Sequence, residues 1–255
     1  MRRLRLLVPL LAALLLGGPP MAAASIWKER KQEVVHYLEA RAGVESCALV
    51  DEHGRIHGFR RGRRAPSASL LKAMALVAYL RLPSVRGRDL RDADRRLLGP
   101  MIRRSDNATA GTVLRTVGRR RLYRLADRAH MSAFRFVWPV WGLSTTSAQD
   151  QARFFFRIDR FVPSRHRAYA LRLLASIVPS QRWGIPKARP PGWTIHFKGG
   201  WGSGTGLVTH QSALLLNGDR RLALSVLTRF NPSHRYGTRT IRGVAARLLR
   251  TPLPP

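Results

Sequence analysis

Three short groups of residues have the types and spacing to carry out acyl chemistry. Ser69-Leu70-Leu71-Lys72 follows Pro66 and Ser67, which suit a helix start, and leads into an apolar stretch. On a helix, positions three apart share a face, so the Lys72 amine can reach the Ser69 hydroxyl and take its proton. Near a helix N-terminus that serine also sits in a field that favours developing negative charge. Ser105-Asp106-Asn107 falls in a break between two helical stretches. A second hydroxyl can relay a proton to a leaving group, and an asparagine amide can both bind a substrate carbonyl and accept from Lys72. Lys198-Gly199-Gly200 ends an apolar strand and is followed by Trp201. A lysine there can hold a carboxylate and hold down the proton affinity of Ser105, while glycines let a ligand approach the backbone. Each group alone has a plainer reading: a surface pair, a helix cap, and a basic residue before the Gly-rich turn GGWGSGTG.

The order of the three groups constrains them jointly. Together they resemble the serine β-lactamases of class A and the penicillin-binding proteins, whose set is S-x-x-K, S-D-N and K-T-G. The resemblance spans almost the whole chain after residue 24. It implies Ser69 as acylated nucleophile, Lys72 as base and Ser105 as proton relay. Asn107 and Lys198, with Gly199 and Gly200, would contact substrate, and the backbone N–H groups of Ser69 and Trp201 would form the oxyanion hole. The implied substrate is a β-lactam or a D-Ala-D-Ala-like peptidoglycan stem peptide, with no cofactor and no metal.

Two departures bear on that reading. Gly199 stands where the family has threonine, so one polar contact is lost unless Ser203 or Thr205 supplies it. The larger departure is the absence of the glutamate that activates the deacylating water in class A enzymes. The last glutamate of the chain is Glu52, and between Asn107 and Lys198 the acids are Asp127, Asp150 and Asp159. The stretch Ala129 to Thr146 is short and aromatic where that loop belongs, and Trp138-Pro139-Val140-Trp141 suits packing or cleft lining better than water activation. Fast deacylation is not expected, with Asp150 the alternative base. A degenerate relative that only binds would have little reason to keep all five polar residues.

The elements that position these groups follow from periodicity. Ile26 to Arg41 reads as an amphipathic helix, and Glu45 to Asp51 with Arg55 to Phe59 as a hairpin. Residues 67–190 are dominated by helical spacing. From Thr194 three strands and a last helix follow. The expectation is an α/β (α+β) fold: a five-stranded antiparallel sheet flanked by N- and C-terminal helices, from residues 25–66 and 191–255, with the helical subdomain 67–190 inserted. The cleft between two such lobes is a usual place for an active site.

The chain opens with Arg2, Arg3 and Arg5, an apolar run from Leu6 to Leu16, and small residues Ala22 to Ala24. Residues 1–24 therefore read as a secretory leader, placing the protein in the cell envelope or outside the cell, with no membrane span once the leader is removed. The one cysteine, Cys47, excludes an intramolecular disulfide and reads as a buried thiol. Of the histidines only His196, two residues before Lys198 and on the same strand face, could touch the cleft. None has metal-ligand spacing.

The formal charge is +32, three of it from the leader's arginines. Such a field concentrates a protein on polyanions. Basic residues are spread along the chain without a nucleic-acid module, so anionic cell-envelope polymers are the expected counterpart and specific nucleic-acid binding is not. A cationic envelope-binding protein on a degenerate hydrolase scaffold is the rival reading, and a monomer is expected in either case.

Overall fold

The computed structural model describes residues 20–254. Residues 1–19, most of the expected leader, lie outside them. Helix α1, Pro20–Glu39, begins earlier than the periodicity suggests and buries Trp27, Val34 and Leu38. Strands β1 (Val44–Val50) and β2 (Ile56–Phe59) form the expected hairpin, with Val50 opposite Ile56 and Cys47 opposite Phe59. A short strand β3, Arg64–Pro66, leads through a 3₁₀ turn, Ala68–Leu70, into α2 (Leu71–Leu80), every residue of which is buried.

Then come α3 (Pro83–Arg86), α4 (Asp92–Arg103), α5 (Asn107–Val117) and α6 (Arg119–Arg128). A non-helical stretch containing a 3₁₀ turn, Trp141–Leu143, ends in β4 (Thr145–Ser147), which pairs antiparallel with β3. Helices α7 (Ala148–Phe156), α8 (Ile158–Phe161) and α9 (Ser164–Ala175) complete the insertion. Strands β5 (Thr194–Gly202), β6 (Val208–Asn217) and β7 (Arg220–Arg229) are followed by α10, His234–Leu248.

The five long strands form one antiparallel sheet in the order β2-β1-β7-β6-β5. Strand β6 is buried along nearly its whole length, as expected of a strand covered on both faces. Helices α1 and α10 pack together on one side, and α7 packs on β1, β6 and β7. Helix α7 thus joins the sheet, although it lies within the stretch read as the inserted helical subdomain. Its apolar face reaches Phe154 and Phe155, both fully buried, which explains why it settles on the sheet. Strand β5 takes the edge, and its neighbour beyond the sheet is the turn carrying Ser69. Cys47 is buried in the core, where loss of hydration raises its thiol to about 12.

Candidate active site

Ser69 lies in the 3₁₀ turn, half-buried, one turn ahead of fully buried Lys72. The residue before it, Ala68, has φ +44°, a left-handed conformation that a residue with a Cβ adopts only when its surroundings enforce it. Those surroundings are specific. The Ser67 N–H donates to Ser144 O at 2.6 Å, pinning the turn to the loop before β4. From below, His210 on β6 reaches Pro66 O at 3.0 Å through Nε2, while its Nδ1 accepts from the Thr228 N–H at 3.0 Å. Nε2 therefore carries the proton. His210 is fully buried, and desolvation pushes its pKa down to about 4.

Edge strand β5 closes on the same turn. A Cβ built on Gly200 would stand 2.9 Å from Ser69 N and 3.1 Å from Leu70 N, so no larger residue fits without moving the backbone. This brings the Ser69 amide and the Gly200-Trp201 backbone side by side, the placement an oxyanion hole requires.

Ser105 has φ +60°, a second strained non-glycine residue. Asp106 caps α5, its Oδ1 accepting from the Thr109 N–H at 2.8 Å and the Thr109 hydroxyl at 2.7 Å. The middle residue of the triplet is therefore the cap, leaving its two neighbours for Lys72. The Lys72 Nζ donates to Asn107 Oδ1 at 2.7 Å, to Ser105 Oγ at 3.1 Å and to Ser105 O. Across Ser105, Lys198 Nζ donates to the same hydroxyl at 3.0 Å and to Gly199 O at 2.8 Å. One serine oxygen is held between two lysines.

Burial sets their charge state. Desolvation pushes Lys72 down to about 7, against a smaller opposing pull from Asp106. Fully buried Lys198 is pushed well below the usual lysine range by desolvation and then by the nearby Lys72 charge. Unlike arginine, lysine gives up its proton when buried, and a neutral amine is what a general base near neutral pH needs. The Ser69 hydroxyl itself has no hydrogen-bond partner among the described residues, and the residue is partly exposed. Lys72 donates to Ser105 and Asn107, and no hydrogen bond joins it to Ser69 among the described residues.

Of the residues expected at the site, Ser69, Lys72, Ser105, Asn107, Lys198, Gly199, Gly200 and Trp201 converge here. Lys198 lies behind Ser105, so its influence on a ligand passes through that hydroxyl. A side chain at position 199 would be crowded: a Cβ on Gly199 would stand 3.1 Å from the Trp183 ring. Trp183 packs edge-on to Trp201 and His234, with centroids 6.0 and 5.2 Å apart. It is fixed by Gln211, whose side chain donates to Trp183 O at 2.9 Å and accepts from the Ile185 N–H at 2.7 Å. Sequence reading missed Trp183, Gln211 and His210, none of which stands in a motif. The Thr205 hydroxyl donates to Gly202 O and Ser203 is exposed.

The aromatic stretch divides its roles. Trp141 covers Lys72, with Nζ 5.1 Å from the ring centroid, whereas Trp138 and Val140 face outward. The three acids between Asn107 and Lys198 are placed elsewhere. Asp159 pairs with Arg221 at 2.9 Å, and Asp127 is exposed on α6. Fully buried Asp150, the alternative base, accepts from the Ala133 N–H at 2.9 Å and anchors the loop, a position closed to water. His196 turns to α9, where Nδ1 meets Leu171 O at 2.9 Å. Among the described residues no group of acid, histidine or cysteine side chains could hold a metal ion, and no helix is long and apolar enough to cross a membrane.

A sheet with a helical insertion, and a serine-lysine pair on the turn between them, defines a serine hydrolase of the β-lactamase-like kind. The sequence profile of the beta-lactamase enzyme family matches residues 94–251, and the chain belongs to that family. No curated protein sequence matches it. Solved structures share its fold at low identity. A β-lactamase from Sphaerobacter thermophilus DSM 20745 is 18% identical with a TM-score of 0.74, covering 87% of this chain and 95% of that one. A β-lactamase from Streptosporangium roseum is 19% identical with a TM-score of 0.72, over 87% and 97%. A mutant of PBP-A, solved as an acyl-enzyme complex with penicillin G, is 17% identical with a TM-score of 0.71, over 89% and 95%.

Proposed function

We propose that the protein is an exported acyl-enzyme former that attacks a β-lactam or a D-Ala-D-Ala-like stem peptide with Ser69 and releases the acyl group slowly. The observation that carries this reading is the buried Lys72, with a pKa near 7, hydrogen-bonded to both Ser105 and Asn107. As Ser69 Oγ bonds to the substrate carbonyl carbon, its proton passes to neutral Lys72. The carbonyl oxygen takes the negative charge, facing the Ser69 and Trp201 amides. When the carbon-nitrogen bond breaks, the proton now on Lys72 moves through the Ser105 hydroxyl to the departing nitrogen. Lys198, behind that hydroxyl, keeps its oxygen ready to give up a proton.

Water must then attack the ester, and here the site is poor. The acids after Asn107 are engaged elsewhere or distant, so Lys72 is the base at hand and hydrolysis is slow. The acyl-enzyme captured in the PBP-A mutant with penicillin G supports this outcome for a related fold. The Arg-led apolar leader supports export, and an exported protein meets both substrate classes.

Intact-mass measurement after incubation with a penicillin tests the reading. A persistent adduct on the peptide containing Ser69, absent from Ser69→Ala, is expected. Labelling that survives that substitution would refute the assignment of the nucleophile.

A further inference from the structure

Among the described residues, six large hydrophobic side chains are exposed: Trp138, Val140, Leu143, Trp201, Leu207 and Phe230. They are not scattered. The first three belong to the loop around the Trp141–Leu143 turn. The others belong to the end of β5, the loop after it, and the residue following β7. The two loops meet beside the site, because a Cβ on Gly142 would lie 3.6 Å from Thr205 Cγ2 and 4.0 Å from Ala68 Cα. Phe230 joins the second group through its N–H, which donates to Gly206 O at 2.8 Å. Single exposed apolar side chains are ordinary, but several carried by two loops that touch point to a contact surface.

The same rim is basic. Arg115, Arg119 and Arg135 line, with Phe136 and Trp138, a hollow of about 610 Å³ that no acid borders. On the opposite side the Arg229 guanidinium lies 4.8 Å from the Phe230 ring centroid. None of these four arginines forms an ion pair among the described residues. The occupant must therefore offer negative charge at its surface and an apolar interior just beneath. An anionic bilayer offers both: tryptophan settles at its interface and arginine on its phosphates.

We propose that this rim docks the protein on an anionic lipid surface, with the two loop tips entering the interfacial layer and the mouth of the Ser69 cleft turned toward the membrane. The large positive charge that remains after the leader's three arginines are set aside from the chain's +32 supplies long-range attraction, and the apolar tips supply the part that salt cannot screen. The proposal is independent of acyl-enzyme chemistry, so Ser69→Ala should bind vesicles like the parent protein.

Co-sedimentation with phosphatidylglycerol and phosphatidylcholine vesicles, at low salt and at roughly 0.5 M salt where charge is screened, is the test. Preference for phosphatidylglycerol is expected, with binding that partly persists in high salt and tryptophan emission quenched by brominated acyl chains. The charge-neutral variant Trp138→Ser/Leu207→Ser/Phe230→Ser should bind about tenfold or more weakly in high salt, having lost apolar area. Indifference to lipid charge, equal binding by the variant, or unquenched emission in the parent protein overturns the proposal. The quenching arm needs no variant, so it decides even if the triple variant misfolds. If the variant instead slows acylation by a soluble penicillin as much as it weakens vesicle binding, the rim is a substrate subsite and docking is wrong.

Discussion

Ser105 Oγ accepts from two buried lysines, so in the proposed mechanism the protonation of that pair governs the proton transfers. With Lys72 at about 7, acylation by a penicillin should rise with pH through that value. The sign follows from the role: the neutral amine is the base, and below its pKa each unit of pH leaves about one tenth as much of it. Stopped-flow acylation across pH 5–9 checks this, and a flat profile would remove Lys72 as base. Lys72→Arg, which keeps charge but cannot give up a proton, should slow acylation about 10²- to 10⁴-fold. A second prediction concerns Gly199, where Trp183 fills the space a side chain needs. Gly199→Thr should destabilise by about 1–3 kcal/mol through overpacking. Trp183→Ala should relieve that penalty, giving a favourable coupling in a double-mutant cycle read by urea denaturation.

Strand β6 does more than bury apolar area, because His210 ties it to Pro66 and Gln211 ties it to Trp183 and Ile185. Its alternation of Thr209, His210, Gln211 and Ser212, all buried, carries positioning groups in place of a plain apolar run. The His210 pKa of about 4, against an ordinary 6.5, means that the unfolded chain takes up this proton first as pH falls. Its contribution is complete above pH 6.5 and is lost between 6.5 and 4, by up to about 3 kcal/mol. Urea midpoints measured across that window should fall steeply for the parent and less steeply for His210→Gln. At α5, the Asp106 cap holds Ser105 and Asn107 in place. Asp106→Ala should cost about 1 kcal/mol of stability, measurable by thermal melting, and slow acylation as the triplet loosens.

The whole molecule joins two lobes across one serine hydroxyl: Lys72 and Ser105 come from the helical insertion, Lys198 from the sheet. Across the chain 46 lysines and arginines face 14 acids. Self-repulsion of that size weakens the compact state. Added salt should therefore raise the melting temperature, most steeply at low ionic strength where the Debye length is long, and scanning calorimetry from low to moderate salt would show it. A melting temperature indifferent to salt would mean that the arginines lie far enough apart in the folded chain for repulsion to be negligible.

Much of this was legible in the chain itself. The period of two in the strands and of 3.6 in the helices gave the sheet, its flanking helices and the insertion. The three motifs named Ser69, Lys72, Ser105 and Lys198, and the fold brings these four together, three of them at one serine hydroxyl. The lack of a late glutamate was likewise a fact of the sequence. Placement of α7 against the sheet was not legible, since helical periodicity shows that a face is apolar without showing what covers it. Nor could the sequence reveal that Trp183 crowds Gly199, that Asp150 is a buried anchor, or that the two loops bearing exposed apolar tips touch. These facts join residues far apart in the chain, as Gly199 and Trp183 are joined by touching rings and His210 and Pro66 by one hydrogen bond. Local pattern determined which side chains could do chemistry, and close packing between distant segments decided their charge, their reach and their neighbours.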